Sequence, residues 1–190
     1  MDEKSIHELI QRKQVENSIK QEFEQTLSDR VNRYLQVKPH EIVPYTYFSA
    51  VSAECSLLFR DGHFYGCIAL TQAVAEALVK FLCKTNFGRH RKVFEKNVEK
   101  LSQREFIPDK VKESLLTIWK RRDDYHHLNP NVATDRQALE ELAREKVQLL
   151  VEVEREIFRF TIVDGKISPE QPKYWKANGD KVQVFLRLEP

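Results

Sequence analysis

Two arginines, two aspartates, a tyrosine and two adjacent histidines fall within "WKRRDDYHHLNP", residues 119–130, the last residue being a helix-breaking proline. The whole chain has only six histidines in 190 residues, so this is the stretch that looks most like chemistry. Arg122 and His126 are four apart and share a face of any continuous helix. His127 is five from Arg122, about 140° around the axis. A helix that loosens before Pro130, or a second subunit, would bring His127 back to an arginine. Arginine offers a fixed fork of donors that fits a phosphate, and histidine exchanges protons near neutral pH. Together they suffice for metal-free phosphodiester cleavage. The histidine takes the 2′-hydroxyl proton or protonates the leaving oxygen, and the arginine stabilises charge on the phosphate. A second reading needs no substrate: the negative end of a helix favours cationic histidine through the dipole alone. Adjacent histidines do not readily chelate one ion together, and no cysteine or histidine lies at a helpful spacing. No metal or other cofactor is therefore expected, and no motif supports a serine or cysteine nucleophile.

The elements that must position these residues are mostly helical. "IPDK" opens the helix that carries the motif: Pro108 suits a first turn and Asp109 the positive end of the dipole. Val111, Leu115 and Ile118 mark one face, predicted to run on to Arg122, and "LNPN" ends it. Upstream, "FYGCIALTQAVAEALVKFLCK" at 64–84 is the most apolar segment. Leu70, Val74, Ala77, Leu78, Phe81 and Leu82 form its core face, and Ala69, Ala73 and Ala77 allow close approach of another helix. Glu76 within it calls for a partner, as a salt-bridged helix residue or as support for a functional arginine or histidine. Asp61-Gly62 turns the chain back to a preceding helix over 47–59. A shorter basic helix is expected over 91–104. The last long helix is expected to begin at Thr134 with Gln137 in a capping box, its Leu139, Leu142, Leu149, Leu150, Val153 and Ile157 making a core stripe. Residues 5–37 read as an arm of two charged helical segments whose Ile10, Phe23, Leu27, Val31 and Leu35 pack on the body, followed by a linker punctuated by Pro39 and Pro44. After Phe160, alternation around Asp164-Gly165 and Asn178-Gly179 predicts short strands. Such strands are too few to stand alone and must lean on the helices.

Composition bounds the function. Apolar residues make up 41% and charged residues 32%, as in a folded, helix-rich protein. Charges are expected to break each apolar stretch short of the ~20 residues a bilayer needs, so no transmembrane helix is expected, and "MDEKSIHELIQRKQ" has no apolar core of a secretory signal. Cys55, Cys67 and Cys83 sit in apolar helical contexts without CxxC spacing, as reduced core residues do. A cytoplasmic protein with no membrane role is expected. The net charge of +2 is unremarkable, but its distribution is uneven. Between Asn86 and Arg122 there are eleven Lys/Arg against five Asp/Glu, whereas residues 134–160 carry seven acids against five bases. A positive excess of that kind attracts phosphates, or is simply a solvated helical surface.

The order of these features resembles the HEPN superfamily (higher eukaryotes and prokaryotes nucleotide-binding), whose members are small antiparallel helical bundles. "LLFRDGHFYGCIALTQAVAEALVKFL" is similar to the first hairpin of that family, with its glycine turn, small-residue helix and interior glutamate. "IWKRRDDYHHLNP" resembles its Arg-x4-His motif near the end of the third core helix. On that alignment Arg122 is the arginine, Asp123 the polar position that is more usually asparagine, and His127 the histidine. Arg121 with His126 fits the same spacing as a second register, and Glu76 and Tyr125 fall among the supporting residues. The resemblance spans roughly residues 45–160. It implies a mainly α, up-and-down bundle over 45–160; the N-terminal helical arm and linker (1–44) and a small β-hairpin appendage expected to dock on the bundle (161–190) lie outside it. It also implies a metal-independent endoribonuclease, of toxin or defence type, with RNA as substrate. Two motifs would share a homodimer cleft, and a cognate antitoxin or defence-system protein would be the partner. Other members of the superfamily are noncatalytic interaction or scaffold subunits, or nucleotide-binding modules. A toxin branch that carries tyrosine two residues after the histidine differs here, where Asn129 stands.

Overall fold

A computed structural model describes residues 3–175, 177–178 and 181–187. The chain is mainly α. Helix α1 (Glu3–Gln36) leads through strand β1 (Ile42–Pro44) into α2 (Ser49–Arg60), α3 (Phe64–Phe87), α4 (Phe94–Gln103), α5 (Asp109–Trp119), α6 (Arg122–His127) and α7 (Arg136–Ile157). Short strands follow: β2 (Phe160–Val163), β3 (Lys166–Pro169), β4 (Ala177–Asn178), β5 (Lys181–Val182) and β6 (Val184–Leu186).

Helix α3 is the centre of the bundle, in contact with α2, α4, α5, α6 and α7. By length and composition it could cross a membrane, so the expectation that charges interrupt every apolar stretch fails here. Yet 56% of its most apolar window is buried inside the fold. Ile68, Val74, Ala75, Leu78, Val79 and Leu82 meet Phe59, Val98, Leu115, Ile118, Val147 and Leu150 in one core. That burial accounts for the apolar sequence. Cys55, Cys67 and Cys83 are all free and buried among these residues. Burial pushes their thiols up, Cys67 to about 12, so they pack as small apolar groups.

Gly62 (φ 79°) makes the turn between α2 and α3. It is this left-handed conformation that calls for glycine; a Cβ there would also displace the Arg136 guanidinium, whose Nη2 lies 2.8 Å from its position. The Asp164-Gly165 turn likewise has both residues at positive φ, 50° and 72°. It pairs Val163 with Lys166 in the two-residue hairpin that such a dipeptide favours. The second turn expected at Asn178-Gly179 lies outside the described residues.

Several expectations are corrected. The arm is one helix of 34 residues, about 51 Å long at 1.5 Å per residue. Its Ile10, Phe23, Leu27, Val31 and Leu35 are exposed, and the contacts to the body come instead from Arg33, Val37 and Arg30 near its C-terminal end. The repeat of four along the arm explains this. Each step of four advances ~40° around a helix, so Ile19, Phe23, Leu27, Val31 and Leu35 spiral ~160° instead of forming one face. The linker after it contains β1, which pairs antiparallel with β6 and so ties the chain's C-terminal end to the α1–α2 connection. Helix α5 stops at Trp119, short of Arg122. Helix α7 starts at Arg136, and its N-cap is Asp135, whose carboxylate accepts from the Ala138 amide at 2.8 Å; Thr134 and Gln137 form no capping box there.

Candidate functional site

The motif is set apart by a sharp break. Lys120 is extended (φ −50°, ψ 136°) and Arg121 is left-handed (φ 60°), after which six residues form α6 and Leu128 closes it at φ 49°. A non-glycine residue at positive φ needs its neighbours to hold it there. Arg121 is held: its Nε donates to Asp124 Oδ2 at 3.0 Å, its Nη2 to the Asn131 carbonyl, and its guanidinium lies over the Tyr125 ring.

The break itself is built by two side chains that no local signal announces. Lys146 of α7, 1% exposed, donates from Nζ to the carbonyls of Ile118 (2.6 Å), Lys120 (3.0 Å) and Thr117 (3.3 Å). Gln72 of α3 donates to Ile118 and Lys120 as well, at 3.0 and 3.2 Å. These carbonyls close the end of α5, where the helix runs out of backbone donors and a cation is also favoured by the dipole. Burial pushes the Lys146 ammonium down to about 8, so it stays charged at neutral pH. The unfolded chain keeps that proton to about 10.5, so between pH 8 and 10 raising the pH favours the folded state through this group. Below about pH 7 both states hold the proton and the contribution is flat. Replacing Lys146 with methionine removes this slope and takes the charged donor from three carbonyls, leaving Gln72 on two of them and the Lys120 amide on the third. At pH 7 the change is expected to cost on the order of 1–3 kcal/mol. Urea titrations of both proteins should show their stability gap widening from pH 8 to 10. The buried thiols titrate in the opposite sense in both proteins and cancel in the difference; a gap independent of pH would remove Lys146 from this role.

Within α6 the structure brings Arg122 and His127 together, Nη1 to Nε2 at 3.4 Å. A guanidinium can only donate, so Nε2 of His127 is the lone-pair nitrogen in this geometry. His127 is exposed and Arg122 partly so, its guanidinium resting over Trp119, which stacks on Phe94 of α4 with centroids 4.2 Å apart. Asp123, exposed, accepts from the same Nη1 at 2.9 Å. His126 turns the other way, toward α3. Burial and then the charge of Arg122 lower its pKa, while the backbone of Ala69 and the carboxylate of Glu76 act against that. Arg122 therefore shares its contact with His127, and Arg121 and His126 are not brought into one pair. Tyr125 is buried and tilts against Tyr65 of α3. Glu76 forms its ion pair with Lys80 at 2.6 Å, as a salt-bridged helix residue does.

Polar atoms without partners gather here. Among the described residues, Nε of Arg122, Nε2 of His126, the Tyr125 hydroxyl and Oε1 of Gln72 are buried without a hydrogen bond. Left unpaired, such an atom costs about 1–3 kcal/mol; these four lie about the α3–α6 junction, and Trp175 Nε1 and Arg187 Nε lie elsewhere. Comparison with known proteins adds nothing to this geometry: no family model, no curated protein and no solved structure matches the chain.

Proposed function

We propose that the chain is a metal-independent endoribonuclease of the HEPN type, with Arg122 and His127 as its working pair. The observation that carries the reading is their 3.4 Å approach on an accessible surface, beside a cluster of unsatisfied polar atoms. In this reading a ribose 2′-hydroxyl takes the place of Arg122 at Nε2 of His127 and gives up its proton there. The freed 2′-oxygen attacks phosphorus, the bond to the 5′-oxygen breaks, and that oxygen takes a proton from the second motif of a pair. Arg122 swings its fork from Asp123 to the phosphate, where charge accumulates. The pair of motifs comes from a homodimer with α6 near the two-fold axis. A toxin-like or defence-associated role, with a cognate protein that restrains or triggers it, follows from the same resemblance.

The test is incubation of the purified protein with total RNA in EDTA. The expected products carry 2′,3′-cyclic phosphate and 5′-hydroxyl ends, and EDTA leaves the rate unchanged. Light scattering at micromolar concentration is expected to give the mass of a dimer; a monomer that still cuts would remove the shared cleft from the reading. Asp123 favours a second reading, a noncatalytic interaction subunit, because its carboxylate already engages Nη1 of Arg122 and repels a phosphate. Absence of cleavage by wild type at high protein concentration, alone and with its partner, would select that reading.

A further inference from the structure

The opposite end of α3 carries an open groove of about 950 Å³ that the Arg122–His127 pair does not use. Its walls combine two side-chain chemistries. Tyr45 and Tyr47, 58% and 71% exposed, offer aromatic faces to solvent, and Lys80, Lys84 and His90 supply nitrogen donors. Exposed tyrosines at the end of a strand are unusual surface for a monomer to leave uncovered. Tyr47 is held in place, its hydroxyl donating to the Ala77 carbonyl at 3.2 Å and its ring edge-on to Phe48.

The rim is more basic still. The α3–α4 loop places Arg89, Arg91 and Lys92 in solvent next to His90. This loop is a built one. Gly88 closes α3 at φ 70°, and Asn97, 2% exposed, clamps the backbone of Arg91 from both sides. Its Oδ1 accepts from the Arg91 amide at 2.7 Å and its Nδ2 donates to the Arg91 carbonyl at 2.8 Å. A buried side chain is spent on holding four exposed cationic or titratable residues in one arrangement. Of the carboxylates near this face, Glu76 on the same row of α3 is paired with Lys80, and Glu95 stands in the first turn of α4, three residues after Lys92.

We infer that this groove binds single-stranded RNA, with unpaired bases stacked on Tyr45 and Tyr47 and phosphates held by Lys84 and the Arg89–Lys92 loop. Flat aromatic faces beside a cationic track are what an unpaired strand requires, whereas a duplex hides its base faces and would use only the cations. The choice of RNA over DNA rests on the ribonuclease reading; stacking and phosphate contact do not. Glu76, Lys80 and Lys84 are four apart on one row of α3, and that row leads from the groove toward Ala69 and α6. The fifteen steps along α3 from Ala69 to Lys84 correspond to roughly 22 Å, so one strand lying along the helix can reach both places.

Fluorescence anisotropy with a 12-nucleotide 2′-O-methyl RNA, which cannot be cut through its 2′-oxygen, tests the groove without reference to cleavage. Tyr45→Ala is expected to weaken binding about 5- to 150-fold, the equivalent of one lost stack. Tyr45→Phe keeps the ring and is expected to bind as wild type. Lys84→Ala is expected to reduce the slope of log affinity against log salt by about 0.7, one phosphate contact. Equal affinity of Tyr45→Ala and wild type would overturn the proposal. So would equal competition by duplex RNA, by inorganic polyphosphate or by an acidic peptide, since each would show a cationic patch and no base stacking. A DNA 12-mer that binds better than the RNA would overturn the sugar assignment. Binding that depends on Tyr45 in a protein that never cuts RNA would leave the groove standing and remove the nuclease reading. Cleavage with RNA binding indifferent to Tyr45 would do the reverse.

Discussion

Replacing His127 with alanine is expected to lower RNA cleavage by roughly 10²–10⁴-fold, the usual contribution of a placed proton-transfer group. Its melting temperature should stay within about 2 °C of wild type, because an exposed side chain away from packing costs within ~0.5 kcal/mol. Arg122→Ala should lose activity to a similar degree with a larger stability cost, since its guanidinium covers the Trp119–Phe94 stack and its Nε is buried. Arg122→Lys separates these roles: it keeps a charge but loses the bidentate fork, and should recover little of the rate. His126→Ala and Arg121→Ala are the controls. Arg121 is already engaged by Asp124 and the Asn131 carbonyl, and His126 faces α3, so each variant should act on stability more than on rate. Cleavage kept by His127→Ala and lost in His126→Ala would transfer the chemistry to the Arg121 register.

The contrast between those two registers shows where residue spacing carries information and where it does not. An ideal helix through 109–127 would set Arg122 beside His126 and leave His127 on another side. Yet Arg122 and His127 are the first and last residues of the short helix α6, and the reach of the arginine side chain closes the gap between them. Helix α5 ends early, under carbonyl contacts from Lys146 and Gln72, which lie 26 to 48 residues away in the chain. No local pattern in 109–127 could announce it, since Val111, Leu115 and Ile118 keep helical period up to the break. Helix α3 was legible for the opposite reason: its apolar residues are continuous and its turn glycine is local. The arm was misread because a four-residue spacing looks amphipathic until its ~40° drift per step is followed over several turns. Strand β1 has three residues, too few for any period to register. The basic excess over residues 86–122 was visible as composition, but not that buried Asn97 would gather part of it at one groove.

The largest expected loss of stability lies at the opposite edge of the fold, where Glu154 of α7 meets Arg187 after β6. Both side chains are almost fully buried, 1% and 2% exposed. The guanidinium donates to both carboxylate oxygens, at 2.6 and 2.8 Å, and to the His40 carbonyl at 3.0 Å, while the Ser52 hydroxyl donates to Oε1 at 2.5 Å. Glu154→Ala leaves an arginine buried without its counter-charge, and a loss of about 3–5 kcal/mol is expected. For a chain of this length that corresponds to a fall of roughly 6–20 °C in melting temperature. The double variant Glu154→Met/Arg187→Met removes both charges and is expected to recover most of the loss, because a buried pair and a packed apolar pair differ little. Equal destabilisation of single and double variants would mean that packing, and no ion pairing, holds the strand. The consequence reaches the groove. Arg187 fixes the end of β6, β6 pairs with β1, and the Tyr45 amide donates to the Gln183 carbonyl at 2.9 Å just before β6 begins. Glu154→Ala should therefore loosen the segment that presents Tyr45 and Tyr47 while α6, packed on α3 after an α5 end held by Lys146, keeps its geometry. Measured below the melting transition, the variant should bind the 2′-O-methyl RNA more weakly than it loses cleavage of a short substrate. A matched loss of the two would mean that the groove and the Arg122–His127 pair are mechanically one site.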